Sequence, residues 1–472
     1  MQAGGLSVVK ELKRSLLYTY GIADLAFVLM VNMEIYFFPA FLTDHAQFSL
    51  VAVGQILGIT SAVDIVFAVV AGILLQKVTL KFGGKYRSWF LIGPPAVAVL
   101  FLLQFTKIGN DSLAAIIIVF GFFSSHLIWN IVVTASGAMV GRLSPLPHER
   151  TILSTSRAQG ISVAGLIFSA TAVPMMLYFS RHTNDIVGVT ITVGVYNLLM
   201  VLGYWYIYWI TSGMDPYDET DSSPQNAGPS IWAMVLLSLK NPPLLLLILA
   251  EIFRGAYLLV ITAFAHYYFK YVLNEYAFLS LFILAISIAR LSGTVVASWI
   301  GVKIGKRHAY WMSLVLTAAG FGAAIFWSDN AWSFTIIFCV ASMLGMIAGS
   351  MSTALFSDTV VYGEWKTGVN IRAFTMALQS FAIKVAVLIR SGVVALGLIA
   401  IGFEANTDPS PGVIEGIRSI MVFAPAAGSA IAAAIFFFGY KMEDGQVLRM
   451  QDEVAARKTG GFAEAADGFG TN

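Results

Sequence analysis

The sequence predicts an all-α membrane protein, with twelve transmembrane helices arranged as two six-helix bundles. Three observations lead there. The 472 residues are 58% apolar and 11% charged, at a mean hydropathy of +0.79, whereas a soluble domain carries roughly a quarter charged residues. Apolar segments of about 20 residues, the length that crosses a hydrocarbon core as a helix, recur with little between them. One long polar break, residues 212–241, rich in Asp, Ser, Pro and Asn, has six such segments on each side. The net charge of +2 argues against a nucleic-acid partner. The one cysteine, Cys339, sits in an apolar segment, so neither an intramolecular disulfide nor a multi-cysteine metal site can form, and a small core residue is expected there.

At the N-terminus, Lys10, Lys13 and Arg14 precede an apolar run, the outline of a signal peptide. A secretory apolar region is roughly 7–15 residues long. This one continues from Leu16 to Leu42 and contains Asp24 and Glu34, so it reads as a first span that the mature chain keeps. Spans two to six follow at 51–75, 88–106, 112–140, 152–179 and 186–211; spans seven to twelve lie at 242–269, 276–300, 309–327, 331–356, 372–402 and 413–440. The expected organisation is an N-terminal bundle, 1–211, a central linker, 212–241, a C-terminal bundle, 242–440, and a tail, 441–472.

With these spans, one side collects Lys10, Lys13, Arg14, Lys77, Lys81, Lys85, Arg87, Arg142, Arg150, Lys240, Lys303, Lys306, Arg307, Lys366, Arg372, Lys441, Arg449, Arg457 and Lys458, and the other only Lys107, Arg181 and Lys270. Such an excess marks the cytoplasmic side, which places both termini and the linker in the cytoplasm of a cell-membrane protein. A missed or invented span would scramble the alternation. An internal echo points to duplication: KFGGKYRSW (Lys81 to Trp89) follows span two, and KIGKRHAYW (Lys303 to Trp311) follows span eight, six spans later. Repeats of this kind build the two halves of alternating-access transporters.

An ionisable side chain at mid-membrane costs at least about 2.5–3.5 kcal/mol, so charges inside spans are informative. They are Asp24 and Glu34 in span one, Asp64 in span two, Arg157 in span five, Glu251 and Arg254 in span seven, Arg290 in span eight, and Lys384 and Arg390 in span eleven. So many must line a polar pathway or pair with one another. Asp64, with no other charge within twelve residues, reads either as a cation-coupling carboxylate or as a buried acid paired with a base such as Lys384. Asp24 can bind polar substrate groups or serve helix packing. Glu34, ten residues on and about 80° off the Asp24 face, suits a lid or an outer vestibule. Glu251 and Arg254 can pair on one helix face, with substrate contact as the second reading. Arg290 and Arg390 have no acid within four residues and suit a gate or an anion ligand, although Arg390 can also snorkel. Trp129 and Asn130 offer an aromatic face for a sugar ring and a neutral amide, while His126, one turn earlier, reads as a packing histidine rather than a proton relay. The sequence carries no HExxH, no GK[ST] phosphate loop and no GxSxG, and because the buried charges are spread over both bundles rather than clustered, a polytopic membrane enzyme is only a remote alternative.

The loops carry a further pattern. YGIADLA (Tyr20 to Ala26), GGKYRSWFLIGPP (Gly83 to Pro95), PHERTILSTSR (Pro147 to Arg157) and SDTVVYGEWKTG (Ser357 to Gly368) with LQSFAIK ending at Lys384 resemble the glycoside-pentoside-hexuronide:cation symporter family, the melibiose-permease-like group of the major facilitator superfamily. The resemblance covers essentially the whole chain. It implies the twelve-helix facilitator fold and sugar import coupled to a cation. Asp24 matches the family's span-one sugar-binding aspartate, Asp64 the first span-two cation aspartate, Arg157 the span-five sugar-site arginine, and Lys384 the span-eleven lysine linked to coupling. Trp129 and Asn130 fall near the family's sugar-stacking tryptophan and span-four acid. Arg254 is a further substrate candidate, and Glu34, Glu251, Arg290 and Asp358 are candidate conformational or gate positions. The expected partners are a small sugar or glycoside and the bilayer, with no metal, no organic cofactor and a monomer as the working unit.

Departures from the family pattern bear on the coupling ion. The family's second span-two aspartate and the proline after it are replaced by Ala68 and Val69, and the span-four acid by Asn130. Sodium, a hard cation, favours several oxygen ligands, whereas a proton needs one titratable group. Proton coupling through Asp64, or weak coupling, is therefore expected over sodium. The bases Arg157, Arg254 and Arg290 suggest an anionic sugar, a uronide or a sulfonated sugar such as sulfoquinovose, because guanidinium grips such groups with two parallel hydrogen bonds. PHER with RAQG after it, NPPLL and YVLN also resemble stretches of sulfoquinovose importers. A neutral glycoside stays open, as does a lipid or lysolipid carrier of the same fold, for which Phe67, Ala68, Val69 and Val70 beside Asp64 leave room.

Overall fold

The computed structural model describes residues 12–78, 80, 83–144, 146–215, 230–327 and 329–467. Lys10, Lys81, residues 216–229 of the linker and residues 468–472 of the tail lie outside these, as do the side chains of Ala68, Val69, Lys77 and Lys458. Among the described residues, eleven helices are long and apolar enough to cross a membrane. A further apolar helix, Arg87–Leu103, has 17 residues, about 26 Å at 1.5 Å per residue, the low end of a spanning length.

The chain divides into two compact units, Met1–Ser223 and Pro224–Asn472. The first holds α1 (Arg14–Thr19), α2 (Ile22–Ala40, prolonged by a π-turn, Phe41–His45), α3 (Leu50–Lys77), α4 (Arg87–Leu103), α5 (Asp111–Leu143), α6 (Pro147–His182) and α7 (Asp185–Ile210). The second holds α8 (Ile231–Leu239), α9 (Pro242–Tyr267, prolonged by a π-turn, Tyr268–Val272), α10 (Phe278–Ile304), α11 (Lys306–Ala323), α12 (Ala331–Thr367), α13 (Arg372–Ala400), α14 (Pro411–Gly439) and α15 (Asp444–Asp467).

Local chemistry explains where the helices begin. Ser49, Asn110, Asn184, Ser230, Asn241, Asn330 and Ser410 each accept a hydrogen bond from a backbone N–H in the first turn of the helix that follows, which satisfies a donor that the helix itself cannot. Pro147, Pro242 and Pro411 open α6, α9 and α14, where a missing N–H costs nothing.

Helix ends depart from the hydropathy boundaries. With 36 and 37 residues, α6 and α12 run about 55 Å, well beyond a hydrocarbon core of about 30 Å. PHER and SDTVVYGEWKTG, read as loops, are therefore helical extensions. Hydropathy marks where a helix leaves the membrane, whereas its end is set by chain chemistry; α12 stops only at Gly368, whose φ of +72° ends the helical turn. Ile231–Leu239, assigned to the linker, and Asp444–Asp467, assigned to the tail, are likewise helical.

The packing repeats. In the first unit the principal helix pairs are α2–α6, α2–α7, α3–α5, α4–α5, α4–α7 and α6–α7; in the second they are α9–α13, α9–α14, α10–α12, α11–α12 and α11–α14. Each pair in the second set is the counterpart, six spans later, of one in the first. The echoed loops share a backbone feature, since Gly83 and Gly305 have φ of +77° and +81°, a region that a Cβ disfavours. Both loops are also held by an aspartate that follows the last span of their unit. Asp215, just beyond α7, accepts from the N–H groups of Tyr86 and Arg87 at 2.7 and 3.0 Å, and Asp444, just beyond α14, pairs with Lys306 at 3.4 Å.

Candidate functional site

The first unit gathers most of the residues singled out above. At the α1–α2 junction the Gly21 N–H donates to Ser156 Oγ at 3.0 Å, and Ser156 Oγ donates to the Tyr18 carbonyl at 2.9 Å. A Cβ on Gly21 would collide with the Ser156 carbonyl, and one on Gly160 with the Gly21 carbonyl, so α2 and α6 cross backbone to backbone. That crossing sets Asp24, three residues after Gly21, against Arg157, three before Gly160. Arg157 grips the carboxylate with two prongs, Nε to Oδ2 at 2.9 Å and Nη2 to Oδ1 at 2.8 Å. Asp24 is buried and the Arg157 side chain is 23% exposed. The remaining amino group, Nη1, lies beside Gly137, where even a Cβ would stand 3.4 Å away. The buried Tyr20 and Tyr204 lie within electrostatic reach of the pair.

A second cluster is built on α5. Asn130 Nδ2 donates to Asp64 Oδ1 on α3 at 3.4 Å and to the His126 carbonyl at 2.7 Å. The Trp129 ring is framed by Phe27 edge-on at 5.3 Å, by His126 at 3.9 Å and by Phe101 at 6.1 Å. Phe27 lies one turn after Asp24 on α2, so it joins the two clusters. His126 stacks on Phe122 at 3.5 Å, and its Nε2 faces Glu34 Oε1 at 3.3 Å. The arrangement offers an acid and a guanidinium for sugar hydroxyls, an aromatic face for the apolar side of a sugar ring, and a carboxyl steadied by an amide.

Sequence reasoning missed Phe27, the Gly21–Gly160 crossing and the Glu34–His126 contact. Phe27 was findable as the residue at i+3 from Asp24. The other two join distant segments and leave no local trace.

In the second unit, Arg254 binds Glu251 through Nε and Nη2 at 2.8 and 2.7 Å, and the Tyr310 hydroxyl donates to Glu251 at 2.7 Å. The helix-face pair is thus present, with a third partner on α11. Arg290 keeps Nε and Nη2 buried without a hydrogen-bond partner among the described residues. Lys384 and Arg390 both lie on α13, and Arg390 is buried. Asp358 pairs with Lys306 at 2.6 Å, beside a cavity of about 540 Å³ lined by Met351, Asp444, Val447 and Leu448. Among the described residues no three His, Cys, Asp or Glu side chains gather in a metal-holding group.

Comparison with known proteins follows the same lines. A family model described as MFS/sugar transport protein matches residues 19–444. The chain is 27% identical over 450 residues to a Salmonella typhimurium protein described as a candidate sulfoquinovose importer, covering 94% of this chain and 93% of that one. It is 24% identical over 454 residues to a glucuronide carrier protein homologue of Escherichia coli, with 93% and 95% covered. It is 24% identical over 437 residues to the isoprimeverose transporter of Lactiplantibacillus pentosus, with 90% and 88% covered. Among solved structures, the nucleoside transporter NupG superposes with a TM-score of 0.63 at 14% identity, covering 90% of this chain and all of that one. A bacterial homologue of the human lysosomal transporter Spinster superposes with a TM-score of 0.66 at 12% identity, covering 92% and 97%. These two carry the fold alone. The family and the relatives are membrane transporters rather than enzymes, and the long apolar helices fit a multi-pass chain. The chain belongs to the MFS/sugar transport protein family.

Proposed function

We propose that this protein imports an anionic sugar, a uronide or a sulfonated sugar such as sulfoquinovose, by proton symport through alternating access. It works as a monomer in the cell membrane with both termini in the cytoplasm. The observation that carries this reading is the two-pronged Asp24–Arg157 pair on the same helical element as Phe27, which touches Trp129. A sugar ring stacks its apolar face on Trp129, while its hydroxyls meet the free lone pairs of Asp24 and the Nη1 donors of Arg157. Likeness to proteins described as carrying sulfoquinovose and glucuronide supports an anionic substrate.

Asp64 is the coupling group. It is held by the Asn130 amide, where the family pattern has a second carboxylate, and one titratable carboxyl in a membrane interior suffices to carry a proton. Binding and release alternate as one repeat rocks against the other.

The experiment is uptake of sulfoquinovose and of methyl β-D-glucuronide into sodium-free proteoliposomes under an imposed pH gradient. Accumulation driven by the gradient is expected, with Asp64→Asn abolishing accumulation but leaving some exchange. Strictly sodium-dependent uptake would reject the proton, and preference for methyl β-D-glucoside would reject the anionic substrate. Full active accumulation by Asp64→Asn would remove Asp64 from coupling.

A further inference from the structure

Arg290 lies near the middle of α10, on the stripe that Phe282, Ile283, Ile286 and Ala297 bury. One turn further on, a Cβ on Gly293 would collide with the Met343 carbonyl of α12, so α10 and α12 cross backbone to backbone beside it. Arg290 Nε and Nη2 are buried and have no hydrogen-bond partner among the described residues. These two atoms form one edge of the planar guanidinium, whose parallel N–H bonds match two oxygens of a carboxylate or sulfonate. Arg157 grips Asp24 by this edge, and Arg254 grips Glu251 by it. In Arg290 the same edge meets no carboxylate among the described residues.

The acids of the second unit are already engaged. Its spanning helices carry Glu251, Asp358, Glu364 and Glu415. Glu251 is taken by Arg254 and the Tyr310 hydroxyl, Asp358 by Lys306, Glu364 by Asn370 and Glu415 by Arg418. Lys384 and Arg390 on α13 add positive charge to the same unit. A guanidinium does not shed its proton, and a buried charge is costly until it is paired. A further donor lies close by. The Tyr257 hydroxyl, one turn after Arg254 on α9, is buried with no hydrogen-bond partner among the described residues, and it lies within electrostatic reach of Arg254 and Arg290. It occupies the space that a Cβ on Gly345 of α12 would need, and a phenol hydroxyl can donate to an anion.

We propose that Arg290, assisted by Tyr257, forms an oxyanion-binding site inside the second unit, which takes the carboxylate or sulfonate group of a sugar acid or of a small free acid. Only the sugar-acid source rests on the anionic-substrate reading given above. Two parallel donors favour a pair of oxygens over a single-atom anion such as chloride, and a neutral sugar gains nothing from the charge.

The test is calorimetric titration of the full chain in nanodiscs with methanesulfonate, sulfoquinovose and methyl β-D-glucuronide, at an ionic strength held constant with sodium chloride. Arg290→Lys keeps the charge and loses the edge, so it should weaken binding by about tenfold or more. Loss for either sugar acid makes the sugar the source; loss for methanesulfonate alone makes it a small free acid. If Arg290→Lys keeps full affinity for every anion that the wild type binds, the proposal is overturned, and the transport reading stands on the sugar acids still bound. If none of the three binds the wild type, this proposal and the anionic-substrate reading fall together. Arg290→Met separates a lost site from a lost fold. Exchanging an unpaired buried charge for an apolar side chain should leave the thermal unfolding temperature without anion unchanged or higher, and should abolish the rise that a bound anion gives the wild type. A lower unfolding temperature, or failure to fold, would make Arg290 a structural charge and overturn the site.

Discussion

In the function proposed above, the Asp24–Arg157 pair serves both stability and binding. Removing one partner of a buried ion pair costs about 3–5 kcal/mol because the other charge is stranded, and the partial exposure of Arg157 sets the expected loss at the lower end. Asp24→Asn and Arg157→Gln should each lower the thermal unfolding temperature and abolish sugar binding. The double variant should regain much of the stability and none of the binding, because no charge is then stranded. Thermal unfolding and calorimetric titration of the three variants check this, and a double variant as unstable as the sum of the singles would mean that the two residues act separately. Each charge was legible alone, as an ionisable residue in an apolar run. The pairing was not, because the partners stand 133 positions apart. Glu251 and Arg254, three apart on one helix, could be paired from spacing. His126 was read as a packing residue, and it does stack on Phe122; its contact with Glu34 belongs to tertiary structure.

Helix crossings decide where those charges meet, and here glycine is the controlling residue. On α6, Gly160 and Gly165 look equivalent in sequence but differ in surroundings. A Cβ on Gly160 would strike the Gly21 backbone carbonyl, which has no flexible end to move aside, whereas Gly165 has nothing within 4 Å. Gly160→Ala should therefore destabilise by about 1–3 kcal/mol, as overpacking does, and reduce sugar affinity by shifting Asp24 away from Arg157. Gly165→Ala should be neutral or stabilise by up to about 1 kcal/mol, through helix propensity alone. Parallel thermal unfolding measurements check the contrast, and equal behaviour of the two variants would remove the close crossing as the device that positions the pair. The existence of these helices followed from hydropathy. Their true ends did not, because α6 and α12 carry their helical hydrogen bonding into polar sequence and stop where Pro147 and Gly368 dictate.

Within each unit, tertiary contacts gather several of the basic connections at one end. In the first unit, the Leu12 N–H donates to Glu149 at the start of α6 at 2.7 Å, and Asp215, after α7, holds Tyr86 and Arg87 before α4 and pairs with Arg142 at the end of α5 at 3.7 Å. Leu12 thus meets the start of α6, and the stretch after α7 meets the start of α4 and the end of α5, while Lys107, before α5, reaches the Ala46 carbonyl, before α3, at 2.5 Å at the other end. The second unit repeats this. Lys306, Asp358 and Asp444 meet, and Arg457 of α15 donates to the Trp365 carbonyl at 2.9 Å, whereas Lys270 reaches Asn406 at 2.9 Å with the opposite set of connections. By the charge rule, the first end of each unit is expected to be cytoplasmic. Alkaline phosphatase, active only outside the cytoplasm, should be active when fused after Gly109, Thr183, Glu275 or Asn406, and inactive after Ser212 or Lys441. A fluorescent protein that matures only in the cytoplasm should give the inverse pattern at the same sites. Activity after both Thr183 and Ser212 would mean that α7 does not cross, and inversion at every site after Ser212 would mean that the two units face opposite ways. Either result would deny the two units the shared sidedness that alternating access requires.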